Sequence, residues 1–462
     1  MPKTKLAGLL LGLIGFCLPL FITLPGLTLA GHLTLSIFLL AAIFWMFETI
    51  PIYSTSILVI FFQVLFLSSQ GFIDHSGTGY EPLAYSEFIA TLADPIIILF
   101  LGGFVLADAS VKYDFDKSLT RILLRPFGSR PKMIMLGLMV VTGFLSAFMS
   151  NTATTAMMIT VILPIVAMLD TSDPARIGLA LSIPFSANIG CIATPIGTPP
   201  NAVVIAALNN QGVDVAFSSW MIYAVPLSVI MLLVAWQVLL RLYPPSIEKI
   251  PLSLEGKLKT SRNALILYAT FGITVLLWVT ENLHGIKSSI VALLPVAVLT
   301  LTTVIEKEDI RKLPWEVLWL IAGGIALGIS MKTTGLAEWL VSGISWDQFS
   351  YLVLLTVFGA VALVMSNFLS NTVTASLLIP LAISLVTSGI LEGVAGSLIL
   401  GVVIAMSCSF AMVLPISTPP NAIAVSTGML ETKHMIRAGV IIGVIGLALI
   451  LLLSVVYWPY TL

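Results

Sequence analysis

Two stretches, "MSNTATTA" at 149–156 and "LSNTVTAS" at 369–376, set Ser, Asn and Thr side by side in the middle of long uncharged apolar runs. Hydroxyl and amide oxygens coordinate hard cations, and hydroxyl and amide hydrogens hold carboxylates. A second pair, "ATPIGTPPNAV" at 193–203 and "VLPISTPPNAI" at 413–423, crowds three prolines into six residues. Proline removes a backbone donor and clashes with the carbonyl four residues back, so residues 194–201 and 414–421 are expected to be unwound. Unwinding frees carbonyl oxygens suited to a cation such as Na⁺ and exposes half-helix N-termini suited to a carboxylate. One polar triplet reads most simply as glue between helices, worth under about 1 kcal/mol per hydrogen bond. Two, equally centred, point to a binding site.

The elements that must carry these groups cross a membrane. Of 462 residues, 58% are hydrophobic and 9% charged, and mean hydropathy is +1.09. Runs such as 6–24 and 438–457 reach the roughly 20 apolar residues that a helix needs to cross the hydrocarbon core, which argues for helices rather than a barrel. The first run follows Lys3 and Lys5 but exceeds a signal-peptide core in length, so it reads as an extra first span over 1–30. A net charge of −1 gives no support for nucleic acid as a partner. Cys17, Cys191 and Cys408 are isolated in apolar segments and read as packing residues rather than disulfides or metal ligands.

Segments 112–132 and 241–262 are rich in Lys and Arg and are expected on the cytoplasmic side, whereas 67–90 holds Asp74, Glu81 and Glu87 without a cation and is expected outside. With 306–312 and 431–437 also inside, the path has a cytoplasmic N-terminus, eleven crossings and an outside C-terminus. It requires 133–169 and 349–391 each to leave and return on one face. At an offset of 220, Val141, Ser146, Phe148, Ser150, Asn151, Thr152 and Thr154 recur identically, and "PIGTPPNA" aligns with "PISTPPNA". Trp45, Glu48 and Ser56 answer Trp278, Glu281 and Ser289 at an offset of 233. The chain thus divides into a first repeat (31–241, with hairpin 133–169 and broken helix 177–210), a cytoplasmic linker (242–262) and a second repeat (263–462, with hairpin 349–391 and broken helix 397–430). Five crossings per repeat is an odd number, so the repeats are expected to be inverted, an arrangement that places a substrate site between them.

Each hairpin arm has roughly 17 residues, about 25 Å of helix, short of the roughly 30 Å core. Residues 150–152 and 370–372 are therefore expected at tips within the membrane, where polar backbone is tolerated only in protein or beside a watery cavity. The stretches 133–169, 177–213, 348–391 and 393–430 contain no charged residue. Unpaired charge inside a bilayer costs at least a few kcal/mol per unit, so an anion held there must bring cations. Two oxygen-rich clusters supply two cation sites, and their donors hold one carboxylate each, which fits a dicarboxylate. Glu48 and Glu281 read as interfacial or packing residues, Gly102-Gly103 and Gly323-Gly324 as close helix contacts, and the four histidines as loop or span-end residues. No nucleophile has a base nearby in sequence, which leaves an enzyme without support.

At these residues the whole chain resembles the divalent anion:sodium symporter family, the sodium-coupled carriers of di- and tricarboxylates and sulfate. The resemblance implies an all-α membrane protein with two re-entrant hairpins and inverted repeats, working as a homodimer by an elevator motion. It implies a first Na⁺ site at Ser146, Ser150, Asn151 and Gly197, and a second at Ser366, Ser370, Asn371 and Ser417. Substrate contacts fall to Asn151, Thr152, Thr198, Asn371, Thr372 and Thr418. Two departures bear on selectivity: Met412 stands where Phe is common, and Ser417 where Gly or Ala is usual. The expectation is Na⁺-coupled uptake of C4-dicarboxylates across the inner (plasma) membrane without an organic cofactor. The alternatives are a sodium-independent dicarboxylate exchanger or an anion channel, the latter expected to line its pore with Lys or Arg.

Overall fold

The computed structural model describes residues 2–250, 259–342, 346–387 and 393–460. Residues 251–258 of the expected linker and 388–391 of the expected second hairpin lie outside the described residues. Helix α1 (Lys3–Phe21) packs along α2 (Leu29–Met46), which leads through Pro51 into α3 (Ile52–Leu67). After a polar loop come α4 (Tyr85–Ala90) and α5 (Pro95–Lys112), the latter capped by Asp94, whose carboxylate accepts the Ile96 N–H at 2.9 Å. The basic segment then folds as α6 (Phe115–Leu124), where Asp114 pairs with Lys117 and Lys259.

The first Ser-Asn-Thr triplet lies where α7 (Pro131–Phe148) meets α8 (Asn151–Ala167), two helices joined by Met149 and Ser150 alone. Ser150 is the N-cap of α8, its hydroxyl accepting the Ala153 N–H at 3.5 Å. Next, α9 (Ala175–Gly190) stops at a short 3-10 turn and an extended stretch before α10 (Pro199–Asn209), and α11 (Phe217–Leu242) completes the half.

The rest of the chain is helical as well. It runs through α12 (Arg262–Val279), α13 (Glu281–His284), α14 (Ser288–Val291), α15 (Leu293–Leu301), α16 (Lys307–Lys312), α17 (Trp315–Thr333) and α18 (Leu336–Ser342). Then α19 (Tyr351–Phe368) meets α20 (Asn371–Thr387) at Leu369 and Ser370, with Ser370 accepting the Val373 N–H at 3.2 Å. Last come α21 (Gly393–Ser409), a break, α22 (Pro419–Ser426) and α23 (Thr432–Val456).

Among the described residues the chain is helix and loop, and ten helices are long and apolar enough to cross a membrane. Burial grades them: the α9 window is 89% buried against 22% for α1, which puts the broken helix at the centre and α1 at the periphery. The halves interlock. Helix α5 packs on α14 and α15, and α17 packs on α3. Both contacts need glycine: a Cβ on Gly102 would stand 2.4 Å from the Ala292 carbonyl oxygen, and one on Gly323 would stand 2.4 Å from Ser56 Cβ. Glu281 is buried and accepts the Phe217 N–H at 2.8 Å at the start of α11, while its counterpart Glu48 is exposed.

The unwound stretches are displaced from their expected positions. The expectation of 194–201 and 414–421 is corrected to 191–198, which includes the 3-10 turn, and 410–418. Pro199-Pro200 and Pro419-Pro420 are not in the breaks but form the first helical positions of α10 and α22. A first-turn N–H has no intrahelical partner to lose and proline's φ already suits a helix, so these prolines start helices rather than interrupt them.

Candidate functional site

Both triplets and both helix starts converge on one cavity of about 850 Å³. Ser150, Asn151 and Thr152 line it from the first half, with Gly197 and Thr198 from the first break. Ser370, Asn371 and Thr372 line it from the second half, with Ser417 and Thr418. Of the residues expected at the site, Ser146 and Ser366 stand behind this surface, fully buried one turn before each tip.

In the first half, Ser146 Oγ lies 2.6 Å from Asn151 Oδ1 and 2.9 Å from the Ala187 carbonyl oxygen. One hydroxyl hydrogen serves one acceptor at a time, so three oxygens meet with a single proton between them. That is a donor set suited to a hard cation. Thr194 ties the break to the hairpin by donating from Oγ1 to the Ala147 carbonyl. Asn201 Nδ2 closes the break on itself by donating to the Thr194 carbonyl at 2.8 Å. Gly197 has no room for a side chain, since a Cβ would fall 2.2 Å from the Cys191 carbonyl oxygen.

The second half is built with different groups. Ser366 Oγ and Asn371 Oδ1 are buried and find no hydrogen-bond partner among the described residues. Buried polar atoms are nearly always satisfied, so two orphan oxygens in one tip mark a place for a cation or water. Here Leu414 replaces Thr194, and the tie runs through Asn367 instead. Asn367 Oδ1 accepts the Val413 N–H at 2.9 Å, and Ser417 Oγ lies 3.1 Å from both the Asn367 carbonyl oxygen and Oδ1. Ser417 Oγ also accepts the Leu414 N–H at 3.1 Å. Ser417, which stands where the first break has Gly197, is thus a strut of the second break. Met412 is fully buried, outside the cavity lining, with its carbonyl against Gly439 of α23.

The halves meet through Asn188 of α9, which lines the cavity and whose Nδ2 donates to Thr418 Oγ1 at 3.1 Å and to Asn421 Oδ1 at 3.2 Å. One end of the cavity does carry charge, contrary to the charge-free lining expected from the four stretches. Its wall there comes from α5, α16 and α17 and bears Asp108, Lys312 and Glu316. Beside it Lys112 Nζ pairs with Asp309 Oδ2 at 2.5 Å. Burial works to raise the Asp309 carboxyl, but the Lys112 ammonium and the Glu306 N–H offset it and hold it below the ordinary carboxylate range.

Asn188, Asn367 and the charged wall were missed from sequence. The signal available was difference between the copies: at the offset of 220, Asn188 faces Cys408, Ala147 faces Asn367, and Gly197 faces Ser417. Identity between repeats marks the shared cavity, while polar residues present in one copy alone mark how each is braced.

Residues 3–462 match the family model described as the sodium:sulfate symporter transmembrane region. A high-affinity sodium-dependent dicarboxylate transporter 3 of Caenorhabditis elegans is 32% identical over 90% of this chain and 80% of its own length. The sodium-dependent dicarboxylate transporter SdcS of Staphylococcus saprophyticus is 30% identical over 98% of this chain and 91% of its own. Two solved structures share the fold at far lower identity. The YdaH transporter of Alcanivorax borkumensis has a TM-score of 0.56 at 11% identity, covering 93% of this chain and 98% of that one. MtrF of Neisseria gonorrhoeae has a TM-score of 0.58 at 10% identity, covering 96% of this chain and 97% of that one. With a full-length family match and relatives at this identity, the chain belongs to the sodium:sulfate symporter family, also called divalent anion:sodium symporters, and is a multi-pass membrane transporter rather than an enzyme.

Proposed function

We propose that this protein is a Na⁺-coupled importer of C4-dicarboxylates such as succinate, fumarate and malate. The observation that carries this reading is the convergence of two Ser-Asn-Thr tips and two half-helix starts on one cavity, with orphan oxygens beneath the second tip. In this reading Ser146, Ser150, Asn151 and Gly197 hold one Na⁺, and Ser366, Ser370, Asn371 and Ser417 hold another. Each ion neutralises one carboxylate, and Asn151, Thr152, Thr198, Asn371, Thr372 and Thr418 bind the substrate ends. The relatives named for sodium-dependent dicarboxylate transport support the same ion and substrate class.

The proposal extends to the whole chain. Eleven crossings and two re-entrant hairpins make two inverted repeats, 31–241 and 263–462, after an extra helix at 1–30. The N-terminus is cytoplasmic, the C-terminus is outside, and homodimers in the plasma membrane work by an elevator motion. The cavity reaches Lys312 and Glu316, in the region where basic loops indicate the cytoplasmic side, so the conformation is inward-facing.

One observation favours the sodium-independent exchanger as a second reading: the Ser417 hydroxyl is held by Asn367 and Leu414, so the second break is braced without an ion. Labelled succinate uptake into proteoliposomes with and without internal dicarboxylate separates the two. The symporter loads empty vesicles when Na⁺ is outside. Uptake that requires internal dicarboxylate and ignores Na⁺ would establish the exchanger instead.

A further inference from the structure

We infer that Asn188 is a positioning residue that fixes the polarity of the Thr418 hydroxyl, making it an obligate hydrogen-bond donor to an anion in the cavity. The inference rests on the dicarboxylate reading above and adds a residue in the first half that sets substrate binding in the second.

The hydrogen-bond polarities here are forced one after another. The Leu414 carbonyl oxygen can only accept, and it lies 2.9 Å from Asn421 Nδ2, which fixes that amide as the donor there. Asn421 therefore turns Oδ1, an acceptor, toward Asn188 at 3.2 Å. The group Asn188 presents must then be its NH₂, whose second hydrogen goes to Thr418 Oγ1 at 3.1 Å. Thr418 is also the N-cap of α22, and its Oγ1 accepts the Asn421 N–H at 3.3 Å. A hydroxyl has two acceptor positions and one proton. Both acceptor positions of Thr418 are taken, and its own proton finds no acceptor among the described residues. Thr418 lines the cavity, so that proton is the group offered to a ligand.

The first copy lacks this wiring. Thr198 makes no side-chain cap bond to α10, and Asn201 Oδ1 is buried without a partner among the described residues. The position matching Asn188 in the second copy is Cys408, a fully buried thiol that is no substitute for an amide donor. Thr198 is therefore left able to donate or accept, whereas Thr418 is committed to donating. A hydroxyl restricted to donation favours a carboxylate over a cation at that point and selects the anionic end of a substrate.

The test is a double-mutant cycle on succinate uptake in proteoliposomes at saturating Na⁺. N188A and N188L are made in parallel, since a void and an apolar isostere do not fail to fold for the same reason, and T418V and N188A/T418V complete the set. Each single change is expected to raise the succinate KM by roughly 10-fold or more, the scale of one lost hydrogen bond to a charged group, with the maximal rate less affected. The double variant is expected to be no worse than T418V, because without the threonine hydroxyl Asn188 has nothing to orient. T418S, which keeps the hydroxyl, is expected to recover most of the KM increase seen in T418V. A wild-type KM in the folded Asn188 variants, or losses that multiply in the double variant, overturns the inference while leaving the transport reading intact. Failure of the wild-type protein to take up succinate overturns both.

Discussion

Asn151 and Asn371 occupy the first position of a helix, each after a serine that caps it, and both line the cavity; Asn151 also meets the buried Ser146 hydroxyl, whereas Asn371 Oδ1 is buried without a partner among the described residues. Asn151→Ala and Asn371→Ala are each expected to abolish dicarboxylate uptake while leaving a protein that purifies folded; normal uptake in either would return that triplet to a helix-packing role. Ser417→Ala removes an acceptor from the Leu414 N–H and a partner from Asn367, a loss of about 1–3 kcal/mol when buried groups are left unpaired. The expected outcome is a lower melting temperature together with a higher Na⁺ half-saturation, read by thermal unfolding and by uptake titrated with Na⁺. The tip and break residues were legible in the sequence because they are written twice. Asn188 and Asn367 were not, because each stands in one copy and their partners lie 230 and 50 residues away in the chain.

The breaks are held open by geometry that a composition-level reading could locate only roughly. Proline content marked the right neighbourhood, but whether a Pro-Pro pair ends one helix or starts the next depends on the preceding cap, and the caps here are Thr198 and Thr418. Gly197 tests how tight the first break is. A Cβ there would meet backbone rather than a flexible side chain, so Gly197→Ala must push the 191–198 strap apart. It is expected to cost about 1–3 kcal/mol of stability and to cut uptake far more than Ser417→Ala. Wild-type stability and uptake would contradict this. Helix existence followed from hydropathy over most of the chain, whereas the packing of α5 on α14 and α15, and of α17 on α3, did not, since the glycines permitting it carry no information about their partner.

The molecule joins two interlocked halves around a cavity whose charged end carries Asp108, Lys312 and Glu316. An inward-facing state predicts that a cysteine at Glu316, in a Cys17→Ser background, reacts with a membrane-impermeant thiol reagent applied from the cytoplasmic side and is shielded from the outside. Cys191 and Cys408 are buried and do not confuse the signal. Labelling from the outside alone would reverse the orientation read from the basic loops. That charged end escaped the sequence reading because its wall is built by helices remote from the repeated motifs. The central claim is that two duplicated tips hold one dianion by bringing Na⁺ with it. The most direct measurement is labelled succinate uptake into substrate-free proteoliposomes under an inward Na⁺ gradient compared with an equal K⁺ gradient. Accumulation with Na⁺ and background uptake with K⁺ is the predicted result; equal uptake with both ions would contradict it.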